Sequence, residues 1–156
     1  MTDVNQDRII PELIVHDGIA ALEFYKAAFG AEEISRVLAK SGKLAHGQLK
    51  ILGHELFVCN EFPASEGGTL KSPRTLGGTG VRITLAVDDA DAVVARAVAA
   101  GATVLLAVAE MYWGGRYGKL VDPFGHEWGV NQQRRALNDA ETNAAAKDFF
   151  AKPDES

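Results

Sequence analysis

The sequence predicts an α+β chain built from two copies of one βαβββ unit, and three observations carry that reading. Gly53-His54-Glu55-Leu56-Phe57-Val58 recurs as Gly125-His126-Glu127-Trp128-Gly129-Val130, a shift of 72 residues. The same shift lays Leu13-Ile14-Val15-His16-Asp17 on Leu85-Ala86-Val87-Asp88-Asp89, and after one gap Gly30-Ala31 falls on Gly101-Ala102. Each anchor also sits at an element boundary, where a structural repeat, unlike a chance tripeptide, has reason to leave a mark.

The elements follow in the same order in both copies. A short apolar segment, Ile9–Val15 or Val81–Val87, reads as a strand. Asp17-Gly18 and Asp88-Asp89 then supply helix-start signals. From Ile19 to Phe29, Leu22, Tyr25 or Phe24, and Phe29 recur at helical spacing, as do Val93, Val94, Ala97 and Val98 between Ala90 and Ala100. Gly30 and Gly101 stand where a helix ends on a left-handed residue. Three further strands are expected in each copy: Glu32–Ala39, Leu44–Leu52 and Glu55–Asn60, then Thr103–Val108, Arg116–Val121 and Glu127–Gln132. Ser41-Gly42, Gly53 and Asp122-Pro123-Phe124-Gly125 are the turns between them.

The organisation predicted is one domain over residues 8–133, with modules at about 8–60 and 81–132. They are joined by a Gly/Pro/Ser/Thr-rich segment, 61–80, whose length without periodicity marks either a functional lid or a flexible linker. Residues 134–156 form a tail whose stretch Ala136–Lys152 has helix-forming composition.

Composition narrows the function classes. The chain has 156 residues, 47% of them hydrophobic and 24% charged, a soluble globular profile rather than a disordered or fibrous one. At this length folding buries about 70% of the unfolded chain's surface, so neither a disulfide nor a metal is required for stability. A net charge of −5 argues against nucleic acid or an anionic membrane as partner. The polar start Met1–Asp7 has no apolar core of a secretory signal, no run approaches a membrane span, and Cys59 is the single cysteine. A cytoplasmic protein is expected.

Glu23-Phe24-Tyr25-Lys26-Ala27-Ala28-Phe29-Gly30-Ala31 at the end of the first helix, and Asp122-Pro123-Phe124-Gly125-His126 before the last strand, resemble the vicinal oxygen chelate superfamily. That superfamily holds glyoxalase I, extradiol dioxygenases and bleomycin-binding resistance proteins. Gly42-Lys43-Leu44-Ala45-His46, Ser72-Pro73-Arg74-Thr75-Leu76-Gly77-Gly78-Thr79 and Trp113-Gly114-Gly115-Arg116-Tyr117-Gly118 are similar to its PhnB-like branch. The resemblance spans about residues 8–133 and implies a curled sheet around a cleft with helices outside. It also implies a homodimer, and in catalytic members a divalent metal held by the first and last strand of each unit. Counting by the family's spacing puts Ile10, Arg82, Phe57 and Gly129 at those four ligand positions. None can ligate as His or Glu does, and Arg is a fixed cation. No metal and no cofactor are therefore expected.

Strand alternation then names the cleft. With the ligand positions facing inward, Glu12, Arg82, Glu55, Phe57, Cys59, Glu127 and Asn131 face the same way, while Leu13, Val15, Leu56, Val58, Trp128 and Val130 face the helices. His46 and Gln48 turn inward, and by the repeat so do Arg116 and Gly118. The candidate catalytic residues are His46 and Glu12; the candidate ligand-binding residues are Arg82, Arg116, Gln48, Phe57, Glu127, Tyr112 and Trp113. The two arginines either pair with Glu12, Glu55 or Glu127 or meet a ligand carboxylate or phosphate directly, and both can hold at once. His54 and His126 read as structural, and Cys59 as an inert thiol. Two functions are expected of such a cleft: metal-free binding of a small polar or anionic molecule, or lyase or isomerase chemistry with His46 and a carboxylate as acid and base.

Overall fold

In the computed structural model, which describes residues 6–151, the chain falls into two units divided between Thr79 and Gly80. The first runs β1 (Glu12–Val15), α1 (Gly18–Phe29), β2 (Glu32–Leu38), β3 (Leu44–Ile51) and β4 (His54–Asn60), followed by a 3-10 turn at Ala64–Glu66 and the short helix α2 (Pro73–Leu76). The second runs β5 (Arg82–Ala86), α3 (Ala90–Ala100), β6 (Thr103–Glu110), β7 (Gly115–Val121), β8 (Glu127–Gln133) and α4 (Asp139–Phe150). Each unit has one four-stranded sheet, ordered β1-β4-β3-β2 or β5-β8-β7-β6. In each, the first strand lies parallel to the last and the other neighbours are antiparallel. The two βαβββ units expected from the repeat are thus present, with element ends within a few residues of those read from the sequence.

The repeat extends to single hydrogen bonds. Asp17 and Asp89, both extended, cap α1 and α3 by accepting from Ala20 N at 3.1 Å and Ala92 N at 3.0 Å. One residue further, the first helical amide is taken by a side chain of the last strand: Gly18 N donates to Asn60 Oδ1 at 2.9 Å, and Ala90 N to Gln132 Oε1 at 3.1 Å. These pairs too are 72 residues apart. In the first unit the clamp is tighter. Asn60 Oδ1 also accepts from Leu44 N at 3.0 Å, and its amide donates to the His16 carbonyl at 3.3 Å. A Cβ on Gly18 would lie 2.5 Å from Leu44 Cβ, so glycine is what lets the helix start sit this close to β3.

Alternation supplies the core. Leu13, Val15, Leu49, Leu56 and Val58 are buried under α1, against Leu22 and Tyr25. In the second unit Leu85, Leu120, Trp128 and Val130 are buried, with Ala97 of α3 fully enclosed. Asp122 organises the β7–β8 turn: Oδ1 accepts from Phe124 N at 2.9 Å and His126 N at 3.0 Å, and Oδ2 from Trp128 Nε1 at 2.9 Å. The Asp-Pro-Phe-Gly motif is therefore a turn that also satisfies the one polar atom of the buried tryptophan.

Two segments are defined more closely by the structure than by the sequence. The stretch after β4 lacks apolar periodicity, yet it is ordered by polar contacts. Glu61 accepts from Ser72 N at 2.9 Å and Thr75 Oγ1 at 2.8 Å, while Ser72, fully buried, caps α2. In the tail, α4 starts at Asp139, where Asn138 accepts from Glu141 N at 2.8 Å, rather than at Ala136. The first five residues and 152–156, including the expected helix end at Lys152, lie outside the described residues.

The unequal clamps predict unequal costs. Asn60→Ala leaves two buried amides without acceptors and is expected to destabilise by about 2–4 kcal/mol, against about 1 kcal/mol for Gln132→Ala. Urea denaturation of the two variants checks the order.

Candidate functional site

The open face of the first sheet, opposite α1, is built by β1, β4 and β3. Glu12 stands beside Phe57 and Ile14 beside Cys59, with Gln48 across from Phe57. The His46 ring meets Phe57 edge-on at 4.6 Å between centroids. Gln48 Nε2 donates to Glu55 Oε1 at 2.9 Å. Arg8, which periodicity does not single out because it precedes β1, pairs with Glu55 and holds its carboxyl below the usual carboxylate range through that hydrogen bond. His46 and Glu12 are not paired. They lie on the two strands flanking β4 and are offset along them, because Gln48, not His46, is level with Glu12 across Phe57, so their backbones are more than two strand spacings, about 9.5 Å, apart.

A hollow of ≈ 190 Å³ adjoins this face where the 62–70 segment passes β1 and β4, lined among others by Glu12, Ile14, Cys59 and Phe62. Burial, and then the negative charge of Glu12, push the Cys59 thiol up to about 11. It therefore stays protonated at neutral pH and hydrogen-bonds Glu12, as an unreactive thiol does.

On the second sheet, Arg82 donates to Glu127 Oε2 through Nε at 3.1 Å and a terminal nitrogen at 2.9 Å. Pairing with Glu127, one of the alternatives open in the sequence, is realised. Trp113 Nε1 donates to Asn131 Oδ1 at 2.9 Å, and its ring meets Tyr117 at 5.2 Å. Tyr112 instead packs against Phe149 and Phe150 of α4, at 5.3 and 5.7 Å.

Arg116 is a correction. Expected inward, it lies on the helix side, where Nε and a terminal nitrogen bind Asp91 of α3 at 2.6 and 2.9 Å. That pair holds the Asp91 carboxyl below its usual range. The cause is one residue of turn. Lys50 pairs with Glu55 across four intervening residues, but Val121 pairs with Glu127 across five. The repeat shift on β7 is thus 71 rather than 72, and a one-residue slip exchanges the faces of a strand. The same slip brings Tyr117 and Lys119 to the open face, across from Asn131 and Gly129. Both were missed from sequence, although the single gap already visible at Gly30/Gly101 was the available signal.

The four positions that the family resemblance assigns to a metal do not fit one. Ile10 and Phe57 offer no donor, Arg82 is a cation, and Gly129 has no side chain. Tyr117 occupies the space a ligand at Gly129 would need: a Cβ there would lie 2.7 Å from the Tyr117 hydroxyl and 2.8 Å from Thr84 Oγ1. Lys119 places a second cation directly across from Gly129. Among the described residues, no three His, Cys, Asp or Glu side chains gather to hold an ion elsewhere.

Gly129→Ala is expected to destabilise by about 1–3 kcal/mol through overpacking against Tyr117, as urea melts would show. Alkylation of Cys59 by iodoacetamide is expected to rise with pH toward a midpoint near 11. In Glu12→Gln that midpoint moves down, because a negative neighbour no longer opposes the thiolate.

Comparison with known proteins agrees with this architecture. The family model described as "Glyoxalase/Bleomycin resistance protein/Dioxygenase superfamily" matches residues 6–130. An uncharacterised protein of Mycobacterium bovis is 44% identical over 135 residues, covering 86% of this chain and 89% of its own length. The solved structure of an Arabidopsis thaliana gene product, 32% identical, superposes with a TM-score of 0.65 over 80% of this chain and 98% of that one. TnmS3, an antibiotic binding protein from Streptomyces sp. CB03234, is 24% identical, with a TM-score of 0.61 over 84% of this chain and 99% of that one, and shares the fold. By the family match and the 44% identical relative, this chain belongs to the glyoxalase/bleomycin resistance protein/dioxygenase superfamily.

Proposed function

We propose that the chain is a metal-independent binding protein for a small polar or anionic molecule, received on the open face of the second sheet. The observation that carries this reading is Lys119. It stands across from Gly129 on the open face and has no carboxylate partner among the described residues. Arg82 is neutralised by Glu127, so Lys119 leaves the face with a net positive charge. Where a relative would offer a metal ion to a ligand's oxygen atoms, this face offers an ammonium, which donates charge-assisted hydrogen bonds to a carboxylate or phosphonate. Trp113, held by Asn131, supplies a flat apolar wall for the rest of the molecule. A structural neighbour is an antibiotic binding protein, a role in keeping with capture rather than turnover.

The reading extends to the PhnB-like branch, on the Gly42–His46, Ser72–Thr79 and Trp113–Gly118 runs, and to a cytoplasmic homodimer. In support of the dimer, edge strand β6 exposes Val104, Leu105 and Leu106 at 42, 50 and 37%, an apolar edge that needs cover. Among the described residues no helix is long and apolar enough to cross a membrane.

The test joins elemental analysis of tag-free protein with calorimetric titration of benzoate and phenylphosphonate. The expected result is no stoichiometric metal, and binding that is unchanged by EDTA and weakened about tenfold or more in Lys119→Ala, the worth of one charge-assisted hydrogen bond. Stoichiometric metal, chelator-sensitive binding or no binding overturns the proposal. Turnover abolished by His46→Ala would instead make the chain a lyase or isomerase acting through His46 and Glu12.

A further inference from the structure

We infer that α4 is an autoinhibitory latch on the second unit: Phe149 and Phe150 pack on Tyr112 as an aromatic ligand would, and the helix swings away before Tyr112 and Trp113 together receive one. The latch rests on the reading of the Lys119 face only for the charge of the natural occupant. The pair of rings by itself suits the flat, apolar end of a molecule.

The first observation is how little holds α4. Its hydrogen bonds are local: Glu141 N donates to Asn138 Oδ1 at 2.8 Å, Asn138 Nδ2 to Glu141 Oε1 at 2.7 Å, and Asn143 Nδ2 to the Asp139 carbonyl at 2.8 Å. Among the described residues no hydrogen bond or ion pair joins α4 to the rest of the unit, and no strand or other helix comes within 8 Å of it, Cα to Cα. None of its residues is buried. The attachment is a clasp of rings, with Tyr112 at 5.3 Å from Phe149 and 5.7 Å from Phe150, and those two 5.1 Å apart. Phe149 and Phe150 remain 45 and 72% exposed, so the clasp is weak and opens at small cost.

The second observation is a fixed root. Arg134 N and Arg135 N both donate to the Gly114 carbonyl, at 2.9 and 3.1 Å, and Gln133 Nε2 donates to the Arg135 carbonyl at 2.8 Å. A Cβ on Gly114, whose φ is +85°, would lie 2.6 Å from that Arg135 carbonyl oxygen. Glycine thus lets the chain leave the sheet at the same turn that carries Tyr112. Root and clasp share one turn, and rotation within 136–138 is enough to open the helix.

The third observation is what the latch keeps from use. Trp113 is held at both ends: Nε1 donates to Asn131 Oδ1 at 2.9 Å, and its carbonyl accepts from Gln133 Nε2 at 2.9 Å. A Cβ on Gly115 would lie 2.4 Å from Trp113 Nε1, so glycine makes the room in which the indole lies. Tyr112 meets Trp113 edge-on, at 5.0 Å and 88°. Two rings at a right angle form a corner for a flat group, and the chain's own phenylalanines take the Tyr112 side of it.

The experiment is a ¹H–¹⁵N NMR titration of the full chain with benzyl alcohol and benzoate, joined to amide hydrogen exchange. In the double variant Phe149→Ala/Phe150→Ala, amides 143–150 are expected to lose protection while those of the sheet keep theirs. Alanine favours helix more than phenylalanine does, so a loss there reports the clasp and not propensity. Both probes are expected to bind about three- to tenfold more tightly, read at the Trp113 indole and the Gly115 amide, because the open form becomes the main one. Tyr112→Ala is expected to loosen α4 equally without that gain, since it removes half of the corner. Unchanged or weaker binding of both probes in the double variant, unchanged α4 protection, or an equal gain in Tyr112→Ala overturns the latch. A gain for benzyl alcohol equal to that for benzoate supports the latch even where calorimetry finds no role for Lys119, so the two readings fail separately.

Discussion

A side-chain carbonyl at the end of the last strand, bonded to the first free amide of the helix, is the interaction on which each unit depends. The amides of a helix's first turn have no partner within the helix and are costly to bury unsatisfied. Asn60 and Gln132 meet that need from the strand that runs parallel beside β1 or β5. The bond therefore ties together the start of the helix, the end of the last strand and, through the parallel pairing, the first strand. Asn60 adds Leu44 of β3 to the same point. Once these ends are joined, the sheet order β1-β4-β3-β2 has little freedom left, and the helix can cover only one face.

That one-sided cover makes the opposite face available for chemistry. Leu, Val and Trp side chains fill the helix side, and the alternate positions on the same strands carry Glu12, Phe57, Gln48, Arg82, Glu127 and Asn131. In the first unit this face bears a carboxylate, a neutral thiol and a hollow. In the second it bears Lys119, Tyr117 and an Arg82–Glu127 pair. Two copies of one architecture have thus diverged in charge. Among the described residues neither gathers three His, Cys, Asp or Glu side chains, and Tyr117 lies across Gly129 where a side chain at that position would project.

Much of this was legible in the residues because it is local. Asp17 and Asp89 announce helix starts by their capping geometry, and Gly30 and Gly101 announce helix ends. Strict alternation in Leu56-Phe57-Val58 and Trp128-Gly129-Val130 separates a core face from an open one. Ile10, Phe57, Arg82 and Gly129 were readable as a lost metal set, because the absence of a donor atom is a property of the residue type itself. Cys59 was readable as inert for the same reason: nothing near it in sequence lowers its pKa.

What the sequence could not decide is whatever depends on which residues meet across space. A single extra residue in the Asp122–His126 turn reverses the facing of β7, so Arg116 goes to Asp91 and Lys119 to the open face. Arg8 meets Glu55 across 47 residues of chain, and Glu61 orders an aperiodic segment through Ser72 and Thr75. Residue type and period establish two βαβββ units and their core, since these follow from short-range spacing, and the family resemblance adds four positions whose residues, Ile10, Arg82, Phe57 and Gly129, carry no metal donor. Only tertiary structure sets the sign of charge on each open face, because that sign is what remains after distant carboxylates and cations have found one another.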